Sequence, residues 1–359
     1  MTETARFLDR RRFTPHVCCF VSEGFRRAEI EQAGVPLLTL PVTSFMNSSV
    51  FRGARQLAAY IRTHNIRIVH TFDVPMNIFG VLPARLAGAS VVLSSQRAHR
   101  DLSLPRERFL LRLMDRIADG VVVNCEAMRE HVRVDEGIAA DRIFVCHNGI
   151  DTNTYRPEPV ARPASLGAAL VIGVVCVLRP EKGLDTLLEG FARVCGMAPN
   201  IKLAVVGSGP EEVHLKQLAT ELGIAANCHF EPATRDVARW LRCMDIFVLP
   251  SLSEALSNSL MEAMACGCCP VASRVGGNPE LVIPDSNGLL FEPGNAEDLA
   301  SQLRVLIENK DVRSRFAEAS AKRVAKEFTH LAAATRMGEI YETNLRRKTS
   351  DNRATLGPS

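Results

Sequence analysis

Two carboxylates, Glu254 and Glu262, stand eight residues apart in "SEALSNSLMEAMACG", with small and polar residues filling most of the interval. The segment follows the apolar run "DIFVLPS" and reads as strand, loop, helix. Ser253 to Asn258 forms the loop, Asn258 or Ser259 the helix cap, and Leu260, Met261 and Met264 the buried helix face. Two uses compete for the acids. Ser259-x-x-Glu262 has the spacing of a capping box, and Glu254 is placed as a loop acid near a helix dipole. Alternatively, carboxylates flanking a positive helix end accept hydrogen bonds from polyhydroxyl groups while the backbone N–H groups receive a phosphate.

A second group favours the chemical use. "VLRPEKGLDTLLEGF" sets Arg179 and Lys182 between a strand and the next helix. Two cations clustered at a strand's carboxyl end are costly without an anion, and a pyrophosphate accounts for them; a solvated loop is the alternative. "VVGSGPE" adds a turn with Gly207 and Gly209, which either lets backbone approach a nucleotide or marks only a tight turn. His70, ending "IVHT", is divided evenly between a ligand-facing role and a satisfied core histidine. Cys266, Cys268 and Cys269 in "ACGCCP" lack a matching His or Cys pair at ligand spacing, so no metal site is expected there.

The elements that must position these groups alternate throughout. "HVCCFV", "IRIVHTF", "SVVLSS", "GVVVNC" and "RIFVCHNG" are strand candidates in the first half. "LVIGVVCVL", "IKLAVVGSG", "CHFEPA", "DIFVLPS" and "CPVASRV" follow in the second, with amphipathic segments between. Such alternation predicts α/β architecture: parallel sheets covered on both faces by helices, built twice, with ligands at the carboxyl ends of the strands. Pro157, Pro159 and Pro163 interrupt both periods and mark the seam. The expected division is residues 1–157, residues 158–330, and a final helix crossing back within 331–359 that ends in a frayed tail, "KTSDNRATLGPS".

A chain of 359 residues suits two ordinary domains. It has no apolar run near the ~18 residues of a membrane span and no basic-then-apolar leader. Eleven cysteines without a spaced framework read as buried thiols in a reducing cytoplasm. Net charge is +3, unevenly shared: residues 1–157 hold 21 Arg, no Lys and 16 acids, and the remainder 22 basic and 24 acidic residues. Arg97, Arg100, Arg106, Arg108, Arg112 and Arg116 cluster in the basic half. They form either a solvated helix face or, chiefly through the first four, a contact for an anionic membrane; no clear apolar stripe is expected beside them. No nucleic-acid partner is implied.

Read in order, "RPEKG", "VVGSGPE", "DIFVLPSLSEALSNSLMEAMACG", "SRVGGNPELV" and "NGLLFEPGNAEDLA" resemble the donor domain of the family-4 retaining glycosyltransferases of GT-B fold. "IVHTF", "VVVNCEAMREHV" and "IFVCHNGIDTNTYRP" are similar to that family's first domain, so the resemblance covers nearly the whole chain. It implies two Rossmann-like domains facing across a cleft, with a nucleotide diphosphate sugar as co-substrate, no other cofactor and no metal. The acceptor would be a hydroxyl on a glycan or lipid-linked glycan. Glu262 would hold ribose hydroxyls and Glu254 hydroxyls of the transferred sugar. Leu256, Ser257, Asn258 and Ser259 would cradle sugar and diphosphate, while Lys182 with Arg179 would offset the leaving diphosphate.

The chain departs from the family pattern in four places. "MTETARFLDRRRFTPHV" matches the family's first helix onward, so its first strand and Gly-Gly loop are expected to be missing here. Val177 stands where the pyrophosphate Arg is usual, Ala255 where a Gly follows the first Glu, and Gln96 with Arg97 where many relatives carry a His. The rival expectations are a nucleotide-sugar epimerase of the same fold and a non-catalytic nucleotide-sugar-binding homologue. Acceptor-dependent release of nucleoside diphosphate separates all three.

Overall fold

A computed structural model describes residues 1–21, 23, 26–100, 104–167, 169–197 and 200–355, with side chains described to residue 350. The chain forms two compact units, Met1–Gly149 with His330–Ser359, and Ile150–Thr329.

The first unit opens with α1 (Thr2–Phe7), β1 (Val17–Cys19), α2 (Arg26–Gln32) and β2 (Leu37–Thr39). It continues α3 (Ser49–Thr63), β3 (Ile68–Thr71), α4 (Val74–Leu86), β4 (Val91–Gln96), α5 (Pro105–Ile117), β5 (Gly120–Val123), α6 (Glu126–Val134) and β6 (Ile143–Val145). β1 pairs with β2, and β3 to β6 pair in chain order, every ladder parallel. Parallel strands need apolar cover on both faces, and alternate side chains of β4 show it. Val92 enters a core with Leu57 and Ile61 of α3, Phe79 and Ala84 of α4, and Met114 of α5. Val91 and Leu93 enter another core with Leu8, Met337, Ile340 and Tyr341. The last three lie on the helix His330–Thr355, which therefore covers the opposite face of this sheet.

The second unit runs β7 (Leu170–Val175), α7 (Leu184–Ala192), β8 (Ile201–Val206), α8 (Glu212–Glu221), β9 (Cys228–Glu231), α9 (Val237–Arg242) and β10 (Ile246–Leu249). Then come α10 (Asn258–Ala265), β11 (Cys269–Ser273), α11 (Asn278–Leu281), β12 (Leu289–Phe291), α12 (Ala296–Glu308) and α13 (Lys310–Glu327); α14 is His330–Thr355. Six parallel strands stand in the order β12-β11-β10-β7-β8-β9. The chain builds outward from β7 in one direction, then returns to β10 and builds the other way. The switch point of this doubly wound sheet lies between β7 and β10, where Ile172 faces Ile246.

The sequence and structure differ at several edges. The short strands β2 and β12 were not expected from "VPLLTL" and "NGLLFEP". Residues 150–157 fold with the second unit: Ile150 N–H donates to the Phe328 carbonyl at 2.9 Å, and Arg242 donates to the Thr154 carbonyl at 2.7 Å. The expected frayed tail is helical to Thr355. Lys348 Nζ lies 2.7 Å from Asp119, and Arg347 donates to the Asp141 carbonyl at 2.8 Å, which anchors the last turns. Residues 356–359 lie outside the described residues.

The arginine run is not one surface. Arg100 is buried, paired with Asp115 at 2.5 Å and with Glu136. The Arg97 guanidinium lies over the Phe72 ring, 5.3 Å from its centroid. Arg108 is half-buried, while Arg106, Arg112 and Arg116 are exposed. The expectation of a surface led by Arg97, Arg100, Arg106 and Arg108 is corrected at Arg100, which is buried, while Arg97 is exposed. Asp101, in the same run, lies outside the described residues.

Candidate active site

Four loops leave the carboxyl ends of β7, β8, β10 and β11 around the switch point, and backbone contacts lock them together. Leu252 N–H donates to the Glu181 carbonyl at 2.9 Å, tying the β10 exit to the β7 exit. Ser273 Oγ donates to the Ser251 carbonyl at 2.6 Å, and Gly277 N–H to the Ala255 carbonyl at 2.6 Å. Glycines sit where these loops touch. A β-carbon on Gly183 would lie 2.2 Å from the Pro250 carbonyl oxygen, and one on Gly276 would lie 1.9 Å from that of Glu254.

These contacts bring Lys182 and Glu254 together across 72 residues of sequence. Lys182 Nζ donates to Glu254 Oε1 at 2.5 Å, and Ser251 Oγ donates to the same oxygen at 2.9 Å. The carboxylate is mostly buried and the ammonium partly so. Such a charge-assisted bond holds both groups at the mouth of the sheet, in position to turn toward a ligand. Cys176, on the same β7 exit, has its thiol pushed up to about 12 by burial, so it remains protonated there.

Glu262 sits on α10, but it does not close a capping box. The helix cap is Ser257, whose hydroxyl accepts from Leu260 N–H at 3.3 Å. The expected caps, Asn258 and Ser259, are therefore corrected by one or two residues. Ser259 instead shares a hydrogen bond with Ser257, Oγ to Oγ at 3.2 Å. Glu262 is hydrogen-bonded by the Tyr155 hydroxyl, and burial raises its carboxyl to about 7 despite that bond. Leu256 and Ser257 are buried, and Asn258 is exposed.

Arg179 stands apart from the pair. Its side chain is exposed, 3.8 Å from Glu181. Gly207 and Gly209 pack backbone on backbone: β-carbons there would lie 1.8 Å from the Cys176 carbonyl oxygen and 2.2 Å from that of Leu178. Gly207 also has φ +145°, open to glycine alone. Ala255 replaces glycine without strain, since among the described residues only Asn65, Asp73 and Asp285 combine a side chain with positive φ. His70, in the first unit, has both ring nitrogens engaged, Nδ1 with Tyr341 Oη at 2.9 Å and Nε2 with Ser95 Oγ at 2.8 Å. That leaves it no nitrogen to offer a ligand.

Sequence reasoning missed Tyr155 and Ser251. Ser251 ends the "VLPS" run beside Glu254 and was readable as its neighbour. Tyr155 lies 107 positions before Glu262, in the proline-rich seam, and no local spacing points to the pairing.

A doubly wound parallel sheet with a lysine–carboxylate pair and a second, half-buried carboxyl beside it defines an α/β protein of Rossmann type. The chain belongs to the family-4, group 1 glycosyltransferases. Residues 1–154 match the Glycosyltransferase Family 4 model and residues 163–323 the Glycosyl transferases group 1 model. It is 27% identical over 281 residues to the sulfoquinovosyl transferase of Arabidopsis thaliana, covering 72% of this chain and 53% of that protein. It is 31% identical over 245 residues to the GDP-mannose-dependent alpha-(1-6)-phosphatidylinositol monomannoside mannosyltransferase of Mycobacterium tuberculosis, covering 64% of this chain and 63% of that one. The chain thus matches between half and two thirds of these relatives' length. The fold is GT-B: the crystal structure of Anabaena HepE in complex with UDP superposes with TM-score 0.81 at 20% identity, over 95% of this chain and 94% of that one.

Proposed function

We propose that this protein is a retaining glycosyltransferase that moves a hexosyl unit from a nucleotide diphosphate sugar to a hydroxyl acceptor in glycolipid or polysaccharide synthesis. The observation that carries the reading is the Lys182–Glu254 pair at the switch point, with Glu262 on the adjoining helix. HepE has been crystallised with UDP-glucose, and the mycobacterial relative is named for a GDP-mannose donor and a phosphatidylinositol-linked acceptor. Both are consistent with a nucleotide sugar and a lipid-linked or glycan acceptor here.

In this reading Glu262 accepts from the ribose hydroxyls and Glu254 from hydroxyls of the sugar. The cradle runs from Leu256 to Ser259. The bond between the anomeric carbon and the diphosphate breaks, and its electron pair stays on the diphosphate oxygen. The acceptor oxygen bonds the same face of that carbon, and its proton passes to the departing oxygen. Negative charge grows on the leaving group, so Lys182, with Arg179 after a side-chain rotation, stabilises it most in the transition state. These cations supply the charge a divalent metal would otherwise bring, and turnover is expected to persist in a chelator.

No helix among the described residues is long and apolar enough to cross a membrane. The proposed setting is the cytoplasmic face of a membrane carrying the acceptor. The test is incubation with a panel of UDP-, GDP- and ADP-sugars, with and without membrane-lipid acceptors, following nucleoside diphosphate. Acceptor-dependent release supports transfer. Release independent of every acceptor, or none with any donor, contradicts it.

A further inference from the structure

The carboxyl ends of β3, β4 and β5 in the first unit carry polar groups that the packing leaves unused. Thr71 of β3 pairs with Ser94 of β4, and Gln96 of β4 with Val123 of β5, so residues 72–73, 96–97 and 124 leave neighbouring strands side by side. Alternation puts Phe72, Arg97 and Asn124 on the α14 face. On that face His70 bonds Ser95 and Tyr341, and Val122 packs with Met337 and Tyr341. Phe72 lies against His70, ring centroids 4.2 Å apart, and the Arg97 guanidinium stands over the Phe72 ring.

Two of these groups lack partners. Asn124 is 2% exposed, yet its Oδ1 accepts no hydrogen bond, a costly state for a buried amide. Arg97 is exposed and forms no ion pair among the described residues. Asp73 stands beside them. It occupies the N-cap of α4, but its exposed carboxylate caps no backbone N–H, and it is the one acid whose charge reaches Arg97.

The charges select the ligand. One guanidinium and one carboxylate leave the patch with no net charge, so a phosphate would gain from Arg97 and be repelled by Asp73. Adjacent hydroxyls use both groups: one accepts from the guanidinium while its neighbour donates to the carboxylate, and a further one donates to Asn124 Oδ1.

We propose that Asp73, Arg97 and Asn124 bind the adjacent hydroxyls of an uncharged sugar or cyclitol ring, and that this ring belongs to the acceptor. The acceptor role rests on the transfer reading; the binding of a polyol does not.

The test is ligand-observed NMR titration of the full chain, without nucleotide, using methyl α-glucoside, methyl α-mannoside, methyl α-galactoside and myo-inositol. Cyclohexanol serves as a ring with a single hydroxyl, and inorganic phosphate as a competitor. At least one polyol should bind, cyclohexanol should not, and phosphate should fail to displace the polyol. Asp73→Asn and Arg97→Gln should each weaken that polyol at least about tenfold. Both side chains are exposed, Asn tolerates the φ of +70° at residue 73, and melting curves check the fold. Arg129→Gln, an exposed cation on α6, should bind like wild type. Binding of no polyol, equal binding by wild type and both variants, or displacement by phosphate overturns the proposal. Where transfer is observed, both variants should raise the acceptor KM and leave the donor KM alone; an unchanged acceptor KM also overturns it. Polyol binding that the variants lose, in a protein that releases no nucleoside diphosphate with any donor, upholds the site and overturns only the transfer reading.

Discussion

Lys182 and Glu254 meet at 2.5 Å although 72 residues separate them, because β7 and β10 are neighbours in the sheet and their exits are bonded through Leu252 and Glu181. Each group holds the other in place. Lys182→Ala should lower kcat on the order of 100- to 1000-fold, as losing one such electrostatic contact does. Its effect on donor affinity should be smaller. Because the two side chains share a contact, Lys182→Ala combined with Glu254→Gln should cost less than the sum of the single changes. Steady-state kinetics on the four proteins decides it, and near-normal turnover in Lys182→Ala contradicts the assignment.

Burial of Glu262, opposed by its bond from Tyr155, should give donor binding a pH dependence. Burial raises the Glu262 carboxyl from 4.5 to about 7, and only the ionised form accepts two ribose hydroxyls. Donor affinity should therefore rise as pH climbs through about 7 and then level off, with proton release on binding. For the free protein the sign is opposite: a raised carboxyl contributes stability that is full below about 4.5 and is lost as pH rises through about 7. Tyr155→Phe removes the one influence lowering this group, so the affinity midpoint should move to higher pH. Calorimetric titrations in buffers of different ionisation enthalpy measure both; a flat affinity from pH 6 to 8 contradicts it.

Glu262→Gln should weaken donor binding by about 1.5–3 kcal/mol, the worth of a charge-assisted hydrogen bond. Stability should change little, since Ser257 rather than a Ser259–Glu262 box caps α10. A large drop in melting temperature with unchanged affinity would assign Glu262 to the scaffold alone.

Gly207→Ala should lower stability by about 2 kcal/mol or more. The new β-carbon meets the Cys176 carbonyl at 1.8 Å and the backbone holds φ +145°. Denaturant unfolding reads the loss directly; a variant as stable as wild type would mean that the β7 and β8 exits can separate.

His70→Ala should destabilise the first unit and leave donor affinity intact. It strips partners from Ser95 and Tyr341 in a buried cluster, leaving hydroxyls unpaired there. Melting and donor titration of the same sample separate these effects, and a donor-affinity loss would return His70 to the ligand.

The architecture was legible because strands of three to six residues, rich in β-branched side chains, alternate with amphipathic helices, and that pattern survives without tertiary information. Glu254 and Lys182 drew attention because each sits in a loop after a strong strand signal, and Glu262 because it lies eight residues beyond Glu254. What sequence could not show were relationships across the fold. Lys182 meets Glu254 only once β7 lies beside β10, and Tyr155 meets Glu262 only once residues 150–157 join the second unit. Arg100 read as a surface charge, yet Asp115 and Glu136, which bury it, lie 15 and 36 residues away. The glycines at 207 and 209 suggested ligand approach, whereas close backbone packing already requires them.

The most direct test is calorimetric titration of wild type, Lys182→Ala and Glu262→Gln with UDP, GDP and ADP at pH 8, where Glu262 is ionised. One of the three nucleotides should bind wild type in the micromolar range. Glu262→Gln should weaken that nucleotide by at least about tenfold, and Lys182→Ala should weaken it too, because the free diphosphate carries the charge that Lys182 offsets. If none binds at millimolar concentration, or both variants bind as wild type does, the switch point of the second unit is not a nucleotide-sugar site.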